Sequence, residues 1–124
     1  MSSGSADGRL EIITPIGTSS IIELAPGIIC EAQVGAHNKA VNLFTAIVTF
    51  EAKRSLPAHT HPHSESITLL NGDAIIEVEN RRYHLKQYDN ITIPENVMHK
   101  VINHSETEKV LFHIAMPVSS PQRK

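Results

Sequence analysis

"HTHPHSE", residues 59–65, places three histidines and a carboxylate within seven residues. Apolar alternation brackets it on both sides, which raises the question of what a small domain does with so many nitrogen donors in one place. In a β-strand, residues i and i+2 point to the same face. His59 and His61 therefore project together, the simplest way for one strand to offer a metal two imidazoles. Glu65 shares that face if the strand is uninterrupted; Pro62 predicts a bend, in which case Glu65 opens the next strand instead. A third imidazole is available from His63, His84, His99, His104 or His113. His99 is the most suggestive, because "PENVMHKVIN" (94–103) puts it just past a turn at the start of a strand. Imidazole plus carboxylate suits one divalent transition metal (Mn, Fe, Co, Ni, Cu or Zn) without choosing among them. The competing reading is bland: an isolated H-x-H is more often a surface pair, and histidine-rich loops take up stray metal.

The surroundings read as β throughout. "LEIIT" (10–14) and "SSIIEL" (19–24) are short strand candidates, and Pro26-Gly27 marks a turn before a third, "IICEAQV" (28–34). "GAHNKA" (35–40) is a loop by its Gly and Asn content. "VNLFTAIVTFE" (41–51) is apolar on both faces and predicts a strand covered on both sides. "SITLLNGDAIIEVEN" (66–80) contains Asn71-Gly72, a hairpin signal between two apolar runs. "RRYHLKQYD", "NITIPEN", "MHKVINH" and "KVLFHIAM" continue the rhythm, with the charged turn "SETE" before the last. Short strands with regular punctuation and no helical periodicity predict an all-β sandwich or barrel. The expected organisation is one domain over residues 10–117, with 1–9 as a disordered polar leader and 118–124 as a polar tail.

Composition narrows the partners. The 124 residues are 40% hydrophobic and 19% charged, with a net charge of -2. That balance gives no electrostatic reason to expect nucleic acid or an anionic membrane. No apolar run approaches the roughly 18 residues of a membrane span, and no secretory h-region is visible. The single Cys30 rules out an intramolecular disulfide and fits a reducing compartment, so a cytoplasmic protein is expected. Without Trp, and with aromatics at 4%, stacking platforms for sugars are scarce.

From His59 the chain reads H-x-H-x3-E-x6-G, ending at Gly72; from Tyr88 it reads Y-x5-P-x-N-x2-H-x3-N, through Pro94, Asn96 and His99 to Asn103. These resemble the two signature motifs of the cupin superfamily, G-x5-H-x-H-x3-4-E-x6-G and G-x5-P-x-G-x2-H-x3-N. The resemblance runs from about residue 41 to about residue 117. It implies a small antiparallel jelly-roll barrel, the double-stranded β-helix, in which His59, His61, Glu65 and His99 hold one divalent transition metal. Gly72 then falls at the hairpin between motif strands, and Pro94 and Asn103 occupy structural positions. Lys53, Tyr88 and Asn96 stand where the family has glycine. Asn tolerates left-handed backbone, whereas Lys53 and Tyr88 predict reshaped turns.

The remaining candidates divide by context. His63 is expected as a solvent-facing turn residue, with an exchange onto the metal as the sharper alternative. His104 opens a polar turn, His84 sits on an outer face, His37 lies in a loop with no local partners, and Cys30 reads as a small buried hydrophobe. His113 shares parity with Leu111 and Ala115, while Val110, Phe112 and Ile114 form the other face; either can be the inner one. In the small cupins that ketonise unsaturated uronates, an Asp four residues before a Pro transfers protons on this strand. His113 stands four before Pro117, so the resemblance offers it as a catalytic acid or base. That family's following aromatic and arginine are absent here, which disfavours the uronate reaction itself.

Three imidazoles and one carboxylate leave two positions open on an octahedral metal. Among the activities the resemblance implies, a dioxygenase-type oxidoreductase acting on a small oxygenated molecule (an enol, dicarbonyl or hydroxy acid) is the expectation. The alternatives are a lyase, isomerase or decarboxylase, or a non-catalytic small-molecule-binding barrel. The two-faced strand at 41–51 and the apolar "EII" and "SII" segments exceed what one small barrel needs, which predicts a twofold homodimer.

Overall fold

The computed structural model describes residues 10–121, so the expected leader and the last residues of the tail lie outside the described residues. Ten strands follow one another: β1 (Ile21–Ala25), β2 (Ile28–Val34), β3 (Phe44–Phe50), β4 (Ser55–His59), β5 (Glu65–Asn71), β6 (Ala74–Val78), β7 (Arg81–Leu85), β8 (Asn90–Ile93), β9 (His99–Ile102) and β10 (Val110–Met116). All pairings are antiparallel. A six-stranded sheet in the order β1-β2-β3-β10-β5-β8 faces a four-stranded sheet, β4-β9-β6-β7. This is the antiparallel jelly-roll, with a 3-10 turn at Ala36–Asn38 inside the predicted loop.

Period-two alternation decides what lies between the sheets. In β5, Glu65, Ile67 and Leu69 are buried while Ser66, Thr68 and Leu70 are half-buried on the other face. In β10, Val110, Phe112 and Met116 point inward, and Phe112 meets Phe50 of β3 edge to face with ring centroids 5.4 Å apart. β3 alternates in the same way, so the predicted strand covered on both sides is covered on one, and residues 41–43 precede it. Its outer face carries the half-buried Thr45, Ile47 and Thr49.

Two local expectations are overturned. "LEIIT" forms no strand: β-branched composition needs a partner edge to become a ladder, and Leu10 and Ile13 remain 80% and 74% exposed. Asn71-Gly72 does not close a hairpin, because β5 pairs with β10 and β8 while β6 pairs with β7 and β9. The dipeptide instead carries the chain from one sheet to the other. Gly72 has φ +98, and a Cβ there would sit 2.7 Å from Val110 Cγ1 and 3.0 Å from the Lys109 carbonyl oxygen. Only glycine fits that corner.

The turns at the three substituted glycine positions are not reshaped. Lys53 (φ 66), Tyr88 (φ 73) and Asn96 (φ 62) all keep the left-handed backbone that a glycine would adopt. Each is held by bonds from elsewhere: Lys53 N–H donates to the Ser105 carbonyl at 2.9 Å, Tyr88 N–H to Leu69 at 2.6 Å, and Asn96 N–H to His61 at 2.7 Å. Asn103 acts as a buried clamp. Its amide donates to the carbonyls of Glu51 (3.0 Å), Glu108 (2.8 Å) and Phe50 (3.4 Å), and its Oδ1 accepts from Ser105 N–H (3.0 Å). That single side chain ties the ends of β3, β9 and β10 together. Among the described residues no helix is long and apolar enough to cross a membrane.

Candidate metal centre

The four residues of the histidine-carboxylate set converge from both sheets. His59 closes β4 and His99 opens β9, directly opposite it in the antiparallel register. Because β4 ends at His59, His61 lies in the loop beyond it, and the bend at Pro62 makes Glu65 the first residue of β5 in the facing sheet. The shared-strand reading of His59 and His61 is thus replaced by a strand end and a loop, yet their rings stand 4.8 Å apart. The loop is fixed by the bond from Asn96 N–H to the His61 carbonyl, which joins it to the turn just before His99. All four side chains are buried, and their ligand atoms lie within 4.8 Å of one another.

Orientation favours metal binding over a simple ion pair. His59 Nδ1 donates to the Pro57 carbonyl at 2.8 Å, and His99 Nδ1 donates to the Val97 carbonyl at 2.9 Å. Each bond occupies Nδ1 and leaves Nε2 facing the cluster. Glu65 Oε1 stands 3.0 Å from His99 Nε2 and 3.4 Å from His61 Nε2. Burial pushes the His59 imidazole down to about 4, so it is neutral near pH 7. Burial pushes the Glu65 carboxyl up, but hydrogen bonds from His61 and His99 outweigh it and hold the group down at about 2. Neutral imidazole and ionised carboxylate are the forms a metal requires. The donor set therefore fits a divalent first-row ion.

The other candidates fall elsewhere. His63 is not solvent-facing: it is 9% exposed, stacks on His61 with centroids 5.1 Å apart, and directs Nδ1 to the Ser64 carbonyl. Its Nε2 is buried and has no hydrogen-bond partner among the described residues, but it stands outside the ligand cluster. His37, expected to be alone, meets Ser19 Oγ at 3.0 Å. His84 and His104 pack edge to face at the surface, 5.6 Å apart. His113 points away from the centre. It lies opposite Ile47 and Thr68 on the outer face of the six-stranded sheet, while Phe112, Ile114 and Met116 take the inner one. The expectation of His113 as a catalytic acid or base is corrected accordingly, since strand parity keeps its ring out of the cavity.

That cavity, about 220 Å³, is the feature sequence reading missed. The four ligand side chains form part of its wall, and Phe44, Leu56, Ile114, Met116 and Pro121 are among the rest. Alternation in β10 contained half of this information, but not which face turned inward. Cys30 is buried as expected and also lines the cavity, its thiol pushed up to about 11 by burial.

Two antiparallel sheets closing over a buried three-histidine, one-glutamate cluster define a jelly-roll barrel with a candidate metal centre. The Cupin domain family model matches residues 46–115, and the chain belongs to that family. Solved structures of similar fold include KdgF from Halomonas sp., at 18% identity and TM-score 0.72, covering 86% of this chain and 94% of that one. The polyketide cyclase RemF from Streptomyces resistomycificus is similar at 14% identity and TM-score 0.78, covering 92% and 84%. The DMSP lyase DddQ from Ruegeria pomeroyi DSS-3 is similar at 17% identity and TM-score 0.71, covering 84% and 60%. At these identities the likeness is one of fold. A search of curated proteins found no match.

Proposed function

We propose that this cupin is a metal-dependent oxidoreductase of dioxygenase type acting on a small oxygenated organic molecule. The observation that carries this reading is the composition of the cavity wall. Isomerases and lyases move protons through a positioned side chain. Here, among the described residues, the wall offers no titratable group beyond the four ligands except Cys30, whose raised thiol stays protonated near pH 7. A divalent first-row metal held by His59, His61, Glu65 and His99 would supply Lewis acidity toward a chelating pair of substrate oxygens and, if redox-active, electron transfer with O2.

The chain's own residues do the rest. His59 and His99 are aimed by their backbone bonds, and Glu65 stays ionised and offsets part of the cation's charge. The apolar walls exclude water, which strengthens electrostatic interaction with a bound substrate. Elemental analysis of protein purified without a metal-affinity tag, combined with O2 consumption across small diketones, enols and hydroxy acids, tests the reading. About one metal per chain and substrate-dependent O2 uptake are expected. Turnover without O2 would make the protein a lyase or isomerase, the activity class of DddQ. Tight binding without turnover would make it a binding barrel.

A further inference from the structure

Resting on that metal-dependent reading, we infer that the substrate joins a chelating oxygen pair to an apolar, ring-sized arm and carries at most one negative charge, as a mono-aryl 1,3-diketone does. The ligand cluster supplies the hydrogen-bonding and charged groups of the cavity. Every other lining residue is apolar or the Cys30 thiol, with no lysine, arginine, amide or hydroxyl side chain among them.

Strand register shows where the apolar part lies. Glu65 opens β5; two residues further along, Ile67 faces Ile114 of β10, and Phe112 comes one pleat beyond. In the other sheet His59 pairs with His99, and Leu56 pairs with Val101 further along the same ladder. Both sheets thus pass from the candidate ligands to hydrocarbon, which includes the buried edge-to-face pair Phe50–Phe112. A cavity of roughly 150 Å³ accepts benzene. The 220 Å³ here holds a ring and a few further atoms. Ile22, 51% exposed, is the lining residue most open to solvent.

Charge sets the second limit. One carboxylate against a divalent ion leaves a single positive charge for the substrate. A second substrate carboxylate would be buried without a cation, and each additional hydroxyl would exchange water for hydrocarbon. Polyhydroxylated and doubly charged acids are therefore rejected.

Titration calorimetry on metal-loaded protein compares benzoylacetone, acetylacetone and tartrate. Burial of the phenyl arm should make benzoylacetone bind at least about tenfold tighter than acetylacetone, with tartrate weaker than both. Ile114→Gln should shrink that preference. Equal affinity for the two diketones, tartrate as the tightest ligand, or a preference untouched by Ile114→Gln overturns the inference and leaves the metal reading standing. Protein that cannot be loaded with metal overturns the metal reading instead. The metal-free chain then decides the cavity's part: 4-phenyl-2-butanone should bind better than 2-butanone, and no preference overturns the inference.

Discussion

His59 and His99 face each other across the β4–β9 ladder with ring centroids 4.4 Å apart, and each turns Nδ1 to the carbonyl two residues before it. Two candidate ligands are thereby oriented through Nδ1 by the backbone. Such orientation depends on the ladder, so it survives changes elsewhere in the cavity and is lost when either imidazole is removed.

His99→Ala should drop metal content from about one per chain to near zero and remove activity, because the ion loses a buried imidazole and Glu65 loses its nearest partner. His113→Ala, on the outer face, should retain the metal and keep turnover within about twofold, well short of the loss expected on removing a general acid or base. Elemental analysis and steady-state kinetics on the two variants check both. A large loss of turnover in His113→Ala with the metal retained would restore a role for that residue.

Acid should unfold the metal-free protein in two stages. The folded His59 value lies at about 4 against 6.5 for an ordinary histidine. The unfolded chain therefore takes up that proton first, and stability present above pH 6.5 declines as pH falls toward 4. Glu65, at about 2 against 4.5, has the same sign, and its contribution is lost between pH 4.5 and 2. Urea midpoints of chelator-treated protein should be flat for these groups above pH 6.5 and fall below it. A midpoint that rises on acidification would contradict the assignment.

Tyr88→Gly should stabilise the barrel by about 0.5–1 kcal/mol, the left-handed strain relieved less the added freedom of the unfolded chain. Tyr88 is 73% exposed, so little packing is lost. Lys53→Gly should gain less, because it also removes the surface ion pair with Glu106. Chemical denaturation of both variants measures the difference.

Asn103→Ala should cost about 2–4 kcal/mol, since it leaves buried carbonyls and the Ser105 N–H without their partner. The denaturation midpoint should fall while the metal-binding residues remain intact.

We propose that the chain forms a twofold dimer. Leu10, Ile13, Ile21 and Ile22 gather exposed apolar surface along β1 and the segment before it, more than a monomer usually leaves in water. Light scattering at micromolar concentration should give twice the chain mass of 13.6 kDa. A monomer there would overturn the proposal.

What the residues determine by themselves is local. Strand spacing alone offers the His59–His61 pair and leaves the third imidazole open among five, whereas the resemblance of 59–72 and 88–103 to the cupin motifs implies the candidate set His59, His61, Glu65 and His99, the structural position of Asn103 and the barrel. β2 follows "IICEAQV" residue for residue, and Pro26-Gly27 makes the turn before it, with Gly27 at φ 77. Tertiary structure alone decided which side of each strand became the inside. Alternation in β10 separates Val110, Phe112, Ile114 and Met116 from Leu111, His113 and Ala115, and pairing with β3 and β5 turns Ile114 to the cavity and His113 to the exterior. Asn71-Gly72 looks the same in a hairpin as in a corner between sheets; the distinction rests on Lys109 and Val110, distant in sequence, passing against Gly72. His63 is buried for a similar reason, since the loop that carries it is held by Asn96 from another part of the chain. The apolar cavity, finally, is assembled from strands far apart in sequence, so its lining becomes visible only when the two sheets close.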